Sequence, residues 1–396
     1  MLPSAALPFK PAPLGVLVIA IASANLGLSL LSPVITLLRG DFSASADQAQ
    51  LVLGAFMLSV AIGQMISGSL SDQFGRRVVL LVGAIIFGIG GVGVLLSSTI
   101  DMLVGFRIVQ GLGAAACMTM GRVIVSDSYT GTDAARKLSI VSSAQAVVPL
   151  LGFAFGGVIA EFIGWRGSVI IMILGSVLII ALAYVYVAES RRGTPVPFRV
   201  TSVLAAYGAL LSNPLVTFHA LTSGFAVGMF FAMGGSMPYE FFRLGAGPLE
   251  FGILFSMTSF GYIAGNGLNG MLVGRVGVAR MAMLGSMITV IMPALMLAGH
   301  LTELMTPVRL SALCFFFGVC NGLVIANSMI CCMRAAGNNS VAGTGLLGTI
   351  QMLLGAIGGT LIIALGGAES FTATGVGLLI MSLFGAAASF LTLKMR

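Results

Sequence analysis

Charge is what this chain has least of. Only 12 of its 396 residues are Asp or Glu and 19 are Lys or Arg, nearly all in short gaps between apolar stretches. A soluble domain carries about three times that density. No free-standing domain that could host an enzyme is therefore expected. Cysteine is scarce as well. Cys117, Cys314, Cys320, Cys331 and Cys332 lie in or at the edges of apolar stretches, with neither a loop framework nor a metal-ligand spacing. They read as small core residues, not as disulfides or a zinc site. A cleavable leader is not expected either. Lys10 precedes the first apolar stretch, which outruns a signal peptide and offers no small-residue cleavage site. The net charge of +7 forms no basic patch, because its residues are dispersed among loops, and this excludes a nucleic-acid partner.

What is present is apolar length. Hydrophobic residues make up 58% of the chain, with a mean hydropathy of +1.09. Twelve bilayer-length stretches fall at 13–37, 49–70, 78–98, 102–125, 138–160, 167–188, 214–238, 250–273, 280–299, 307–332, 342–366 and 371–392. A backbone in lipid must satisfy its own hydrogen bonds, and stretches this long do so as helices, which excludes a barrel of short alternating strands. The expectation is an all-α membrane protein of twelve spans.

Thirteen Lys and Arg fall on one side, including Lys10, Arg76, Arg77, Arg136, Lys137, Arg191, Arg192 and Arg396. Four fall on the other (Arg39, Arg166, Arg243 and Arg309), and Arg107 and Arg122 lie within a span. The bias places both termini in the cytoplasm of a bacterial-type inner membrane. The longest interruption, 189–213, reads as a cytoplasmic linker between bundles at 1–188 and 214–396. These halves also resemble each other. Gly68, Leu70 and Gly75 recur as Gly270, Leu272 and Gly277, and Gly156-Gly157 recurs as Gly358-Gly359, both at an offset of 202. Parallel repeats of this kind carry their ligand path between the halves near mid-membrane.

The stretch Gly68-Ser69-Leu70-Ser71-Asp72-Gln73-Phe74-Gly75-Arg76-Arg77, followed by Val78-Val79-Leu80, resembles the signature loop of the major facilitator superfamily. With Gly63-Gln64 before it, the segment is similar to the bicyclomycin/chloramphenicol-resistance type of drug:proton antiporter. Arg107-Ile108-Val109-Gln110-Gly111, Gly164-Trp165-Arg166, and Ala342-Gly343-Thr344 with Gln351 extend the resemblance over essentially the whole chain. It implies two pseudo-symmetric six-helix bundles and a monomeric secondary transporter with no cofactor. Its expected partners are a small amphiphilic substrate, protons as coupling ion and the lipid bilayer. It also implies a latch in which Asp72 meets the dipole of the eleventh helix and Arg76, beside Gly75 and Arg77, pairs with Asp127.

Two departures accompany the resemblance. The first-helix acid of such antiporters falls near Leu26, where no carboxylate stands. Their fifth-helix Gly-Pro-x-x-Gly-Gly becomes Gly152-Phe153-Ala154-Phe155-Gly156-Gly157, with Pro149 one turn earlier. Asp127, Glu240 and His219 are the titratable candidates that remain.

An arginine at mid-membrane costs roughly 2.5–3.5 kcal/mol on insertion scales, so it faces a cavity or a partner. Positions 107, 111, 114, 118 and 122 share a helix face, which presents Arg107, Met118 and Arg122 to an expected central cavity. Asn25, Ser29 and Ser32 form a similar stripe on the first span. Gln110, Gln145, Asn321 and Gln351 add uncharged donors and acceptors, and Phe230 with Met233 adds apolar bulk. The competing reading takes Met229, Met233 and Met237, one turn apart, as a path for a soft ion such as Cu(I) or a route for nutrient import. The His-x-x-x-Met pair of a copper-uptake branch is missing.

Overall fold

The computed structural model describes residues 11–129, 131–191, 193–337 and 340–395, and the described residues form helices and connectors without strands. Twelve helices run back and forth: α1 (Leu14–Asp41, with a 3-10 turn at Ser32–Val34), α2 (Ala46–Phe74), α3 (Arg76–Leu95), α4 (Ile100–Ser128), α5 (Gly131–Phe162) and α6 (Trp165–Tyr186) in the first half. The second half holds α7 (Pro214–Arg243), α8 (Pro248–Val276), α9 (Val278–Leu301), α10 (Pro307–Ala336), α11 (Ser340–Ile362, closing in a π turn at Ile363–Gly367) and α12 (Phe371–Lys394). Ten of these are long and apolar enough to cross a membrane. The other two, α5 and α8, have 32 and 29 residues and pack on each other.

Helices begin where the sequence offers caps. Ser45 and Gln48 form a reciprocal capping box at α2, and Thr99, Asn213, Thr306 and Ser370 accept from first-turn amides of α4, α7, α10 and α12. Pro214, Pro248 and Pro307 occupy first-turn positions that need no amide donor. The turns at Gly75 (φ +99°) and Gly277 (φ +89°), 202 residues apart, each end one span and start the next within a single residue. Only glycine reaches that region freely, so the duplication keeps it in both copies.

The halves repeat one packing scheme. In the first, α2 packs on α4, α1 on α5 and α3 on α6; in the second, α8 packs on α10, α7 on α11 and α9 on α12. The seam between them is made by the equivalent pairs α5–α8 and α2–α11. Two differences from the sequence reading have physical causes. Helices such as α2 run past their apolar stretch, because about 29 residues at 1.5 Å rise exceed a 30 Å hydrocarbon layer and the polar ends continue into the interface. The 189–213 segment also contains a helix, Val200–Leu211, anchored by buried Val203 and Leu210, the latter packed with Val216, Cys332, Leu346 and Leu347.

Candidate functional site

The seam closes on one face through a single hydroxyl. Pro238 has no N–H, so the carbonyl of Gly234, four residues earlier in α7, loses its helical donor. Ser32 Oγ of α1 donates to that carbonyl across the seam. The two residues are 202 apart, so each meets its own copy and the pseudo-twofold axis passes between them. Beside it, α5 and α8 touch through glycine: a Cβ on Gly157 would fall 2.6 Å from the Pro248 carbonyl oxygen and 3.0 Å from the Gly252 Cα. The symmetric contact joins Gly359 to Gln50, with an amide where the first pair has bare backbone.

Against this closed end lies a small void lined by Leu28 and Ser32 of α1, Leu53 and Met57 of α2, Phe153 of α5, and Phe231 and Gly234 of α7. Both halves contribute to it. Phe153 anchors an aromatic cluster at its edge, with ring centroids 4.8 Å from Phe255 and 5.9 Å from Phe230, both edge-on. Phe230 stacks on Phe255 at 6.2 Å, and Phe251 continues the stack at 5.2 Å. The contact surface is aliphatic, aromatic and thioether, with one serine.

Behind the wall sits Arg107, fully buried. Its guanidinium donates from Nη2 to the Gly27 carbonyl at 2.7 Å and from Nε to the Val52 carbonyl at 3.1 Å, each one residue before a residue of the void wall. Nη1 donates to Gln110 Oε1 at 2.5 Å, and the Phe56 ring lies 3.9 Å from the guanidinium carbon. All these partners are neutral.

The other residues singled out from the sequence are spent mostly inside one half. Asn25 and Met118 are buried, and Ser29 donates to the Asn25 carbonyl at 2.8 Å while filling the space that Gly152 leaves against α1. Gln110 also reaches Met172 Sδ at 3.7 Å. Asn321 donates to the Ala226 carbonyl at 3.1 Å, and Gln351 to Ser223 Oγ at 2.8 Å. Arg122 is half-buried on α4, and the Gln145 side chain lies outside the described residues. Met229, Met233 and Met237 are buried in the cluster that holds Phe153, Phe241, Phe251 and Phe255, where they pack as core. The void wall itself, Leu28, Leu53, Met57, Phe153 and Phe231, was not singled out as one surface. The missed signal was Phe153, visible as an aromatic standing in the Gly-Pro-x-x-Gly-Gly pattern.

The face that carries the α2–α3 turn holds an ionic network. Arg76 donates from Nη1 to Asp72 Oδ1 at 2.5 Å and from Nε to Asp127 Oδ2 at 3.2 Å. Ser190 donates to the same Asp127 oxygen at 3.0 Å. Glu189 caps α3 by accepting from the Arg76 amide at 2.9 Å and the Arg77 amide at 3.3 Å, and it occupies the space a Cβ on Gly75 would need. Arg191 donates to the Gln73 carbonyl at 2.7 Å, the Phe198 amide to Gln73 Oε1 at 2.8 Å, and Arg77 to the Tyr184 carbonyl at 2.7 Å. The start of the inter-bundle linker is thus bound into the turn, a role the sequence reading did not assign to it. The expected contact between Asp72 and the start of the eleventh helix falls at residues 338–341, where 338 and 339 and the side chains of 340 and 341 lie outside the described residues.

On the opposite face Glu240, the single buried carboxylate of the twelve, accepts from Arg243 at 2.6 and 2.8 Å with His300 Nδ1 at 3.5 Å. Arg243 also donates to the Ala368 carbonyl at 2.6 Å. This cluster ties the ends of α7 and α9 to the α11–α12 connector.

The chain matches the Major Facilitator Superfamily over residues 17–360. It is 29% identical over 326 residues to an uncharacterised MFS-type transporter, YdgK, of Bacillus subtilis, which covers 80% of each chain. A bicyclomycin resistance protein homolog of Haemophilus influenzae is 22% identical over 338 residues, 85% of each. Among solved structures, a bacterial homologue of the human lysosomal transporter Spinster, inward-facing and occupied, superposes with a TM-score of 0.76 at 16% identity over 98% of both chains.

Proposed function

The chain belongs to the major facilitator superfamily, a family of membrane transporters and not of enzymes, and on that footing we propose that it exports a small amphiphilic compound across a bacterial-type inner membrane in exchange for protons. The observation that carries the reading is the seam void with its aromatic edge, walled from both halves and next to the pseudo-twofold axis. A ligand held there touches both bundles, so its binding free energy bears on their relative position. The moving bodies are 1–188 and 214–396, with 189–213 as a cytoplasmic strap, and both termini are cytoplasmic by charge bias. Asp72, Arg76 and Asp127, with Glu189 and Ser190, form the cytoplasmic latch; the Ser32–Gly234 contact and the paired glycines close the other face.

The test uses everted membrane vesicles, in which export becomes uptake. Uptake of an amphiphilic drug should follow an imposed pH gradient and vanish when the gradient is collapsed. Leu53→Trp fills the void and should abolish that uptake without removing the protein from the membrane. Full uptake by this variant would place the substrate elsewhere.

A further inference from the structure

Building on the export reading, we infer that the seam void selects its substrate by charge: it admits neutral and anionic aromatic amphiphiles and turns away organic cations. Three observations converge on this. The first is where the Arg107 charge lies. It donates to the carbonyls of Gly27 and Val52, while Leu28 and Leu53, the next residue in each case, form the wall. The main-chain carbonyls that hold this permanent cation are each one residue from the wall an occupant would touch. The second is that this cation has no counter-ion among the described residues. Its partners are two carbonyls, the Gln110 amide oxygen and the Phe56 ring, and these stabilise the charge without cancelling its field.

The third is that nothing anionic balances it. No carboxylate lines the void. Eleven of the twelve carboxylates are not buried, and the twelfth, Glu240, is committed to Arg243 and His300 at the end of α7. A cationic aromatic would find the stacking surface it needs in Phe153, Phe230, Phe231 and Phe255, but at a positive potential in a low-dielectric setting. A neutral nitroaromatic amide meets no such penalty, and an aromatic carboxylate gains from the field. The seam thus keeps the apolar surface of a broad drug site and drops one whole charge class.

The experiment measures binding to the purified full chain by thermal shift, with chloramphenicol as neutral probe, nalidixate as anion and ethidium as cation. Chloramphenicol and nalidixate should raise the melting temperature at concentrations about tenfold or more below any effect of ethidium. Ethidium binding at the same concentration as the other two overturns the inference, and so does the absence of a shift with all three. Leu28→Glu sets a carboxylate in the wall without touching Arg107. It should bring ethidium binding to the chloramphenicol range and weaken nalidixate about tenfold. A folded Leu28→Glu protein with an unchanged ranking overturns the inference equally. Failure of pH-driven uptake in everted vesicles would count against export and leave this ranking standing, so the two readings fail separately.

Discussion

Arg107 is the residue on which the first bundle's interior turns. Two hydrogen bonds from one guanidinium join α4 to α1 and α2 through main-chain carbonyls, so the joint is independent of its neighbours' side chains, and a third goes to Gln110 within α4. Arg107→Leu leaves the Gln110 oxygen without its donor and loses the bridge, at a cost of about 1–3 kcal/mol for each buried group left unpaired. The variant should insert but melt several degrees lower, and transport should be lost. An unchanged melting temperature in detergent would show that the joint contributes nothing. Arg107→Lys is not a conservative rescue, since a lysine cannot span the same fork of acceptors.

The residue scale is also where the sequence said least. Hydropathy marks polar groups in an apolar span, and polar groups attract functional readings. In lipid those groups bond first within their own half, as Ser29 does to the Asn25 carbonyl, Asn321 to the Ala226 carbonyl and Gln351 to Ser223. The surface that faces the void is built from Leu28, Leu53, Met57 and Phe231, residue types that fill every span and carry no mark.

At the scale of the element, two helices are interrupted where they meet. The first span bends through a 3-10 turn at Ser32–Val34, and α7 carries Pro238 one turn beyond Gly234. Pro238 frees a carbonyl that a helix would otherwise use internally, and Ser32 of the partner span donates to it. Ser32→Ala removes one such bond, about 0.5–1.5 kcal/mol. A cysteine placed at Leu28 should then be labelled faster by a membrane-impermeant maleimide added from the side away from the linker. Equal labelling rates with and without Ser32 would show that the bond does not hold that face shut.

The α2–α3 turn is the other informative element. Its motif was legible because its residues are polar, glycine-bounded and contiguous. Glu189 was not, because a carboxylate 113 positions away caps α3 only after the chain has folded. Glu189→Ala removes the acceptor for three amides, those of Arg76, Arg77 and Arg191, and a neighbour of Gly75. A transport rate reduced about tenfold, with little loss of stability at this exposed site, is the expected result. A normal rate would make the strap dispensable.

Over the whole molecule, twelve spans and their duplication were readable from hydropathy and one repeated offset, since lipid forces each stretch to be a helix of fixed length. How the halves face each other was not, because the α5–α8 and α2–α11 contacts depend on glycines that are abundant everywhere. Their close approach gives a direct test of the seam. Gly157→Leu sets a Cβ 2.6 Å from the Pro248 carbonyl oxygen, forces α5 off α8 and should cut transport about tenfold while the protein still inserts. Normal transport by that variant would mean that the α5–α8 contact does not have to close during the cycle.

The meeting of Ser32 with Gly234 says something about how such a molecule came to differ from its ancestor. In a dimer of identical chains, a position on the symmetry axis can only confront itself, hydroxyl against hydroxyl or hydrogen against hydrogen. Gene fusion lifts that restriction. Once the two copies share one polypeptide, donor and acceptor can be assigned separately, and here one copy carries the serine that donates while the other carries the proline that frees its carbonyl.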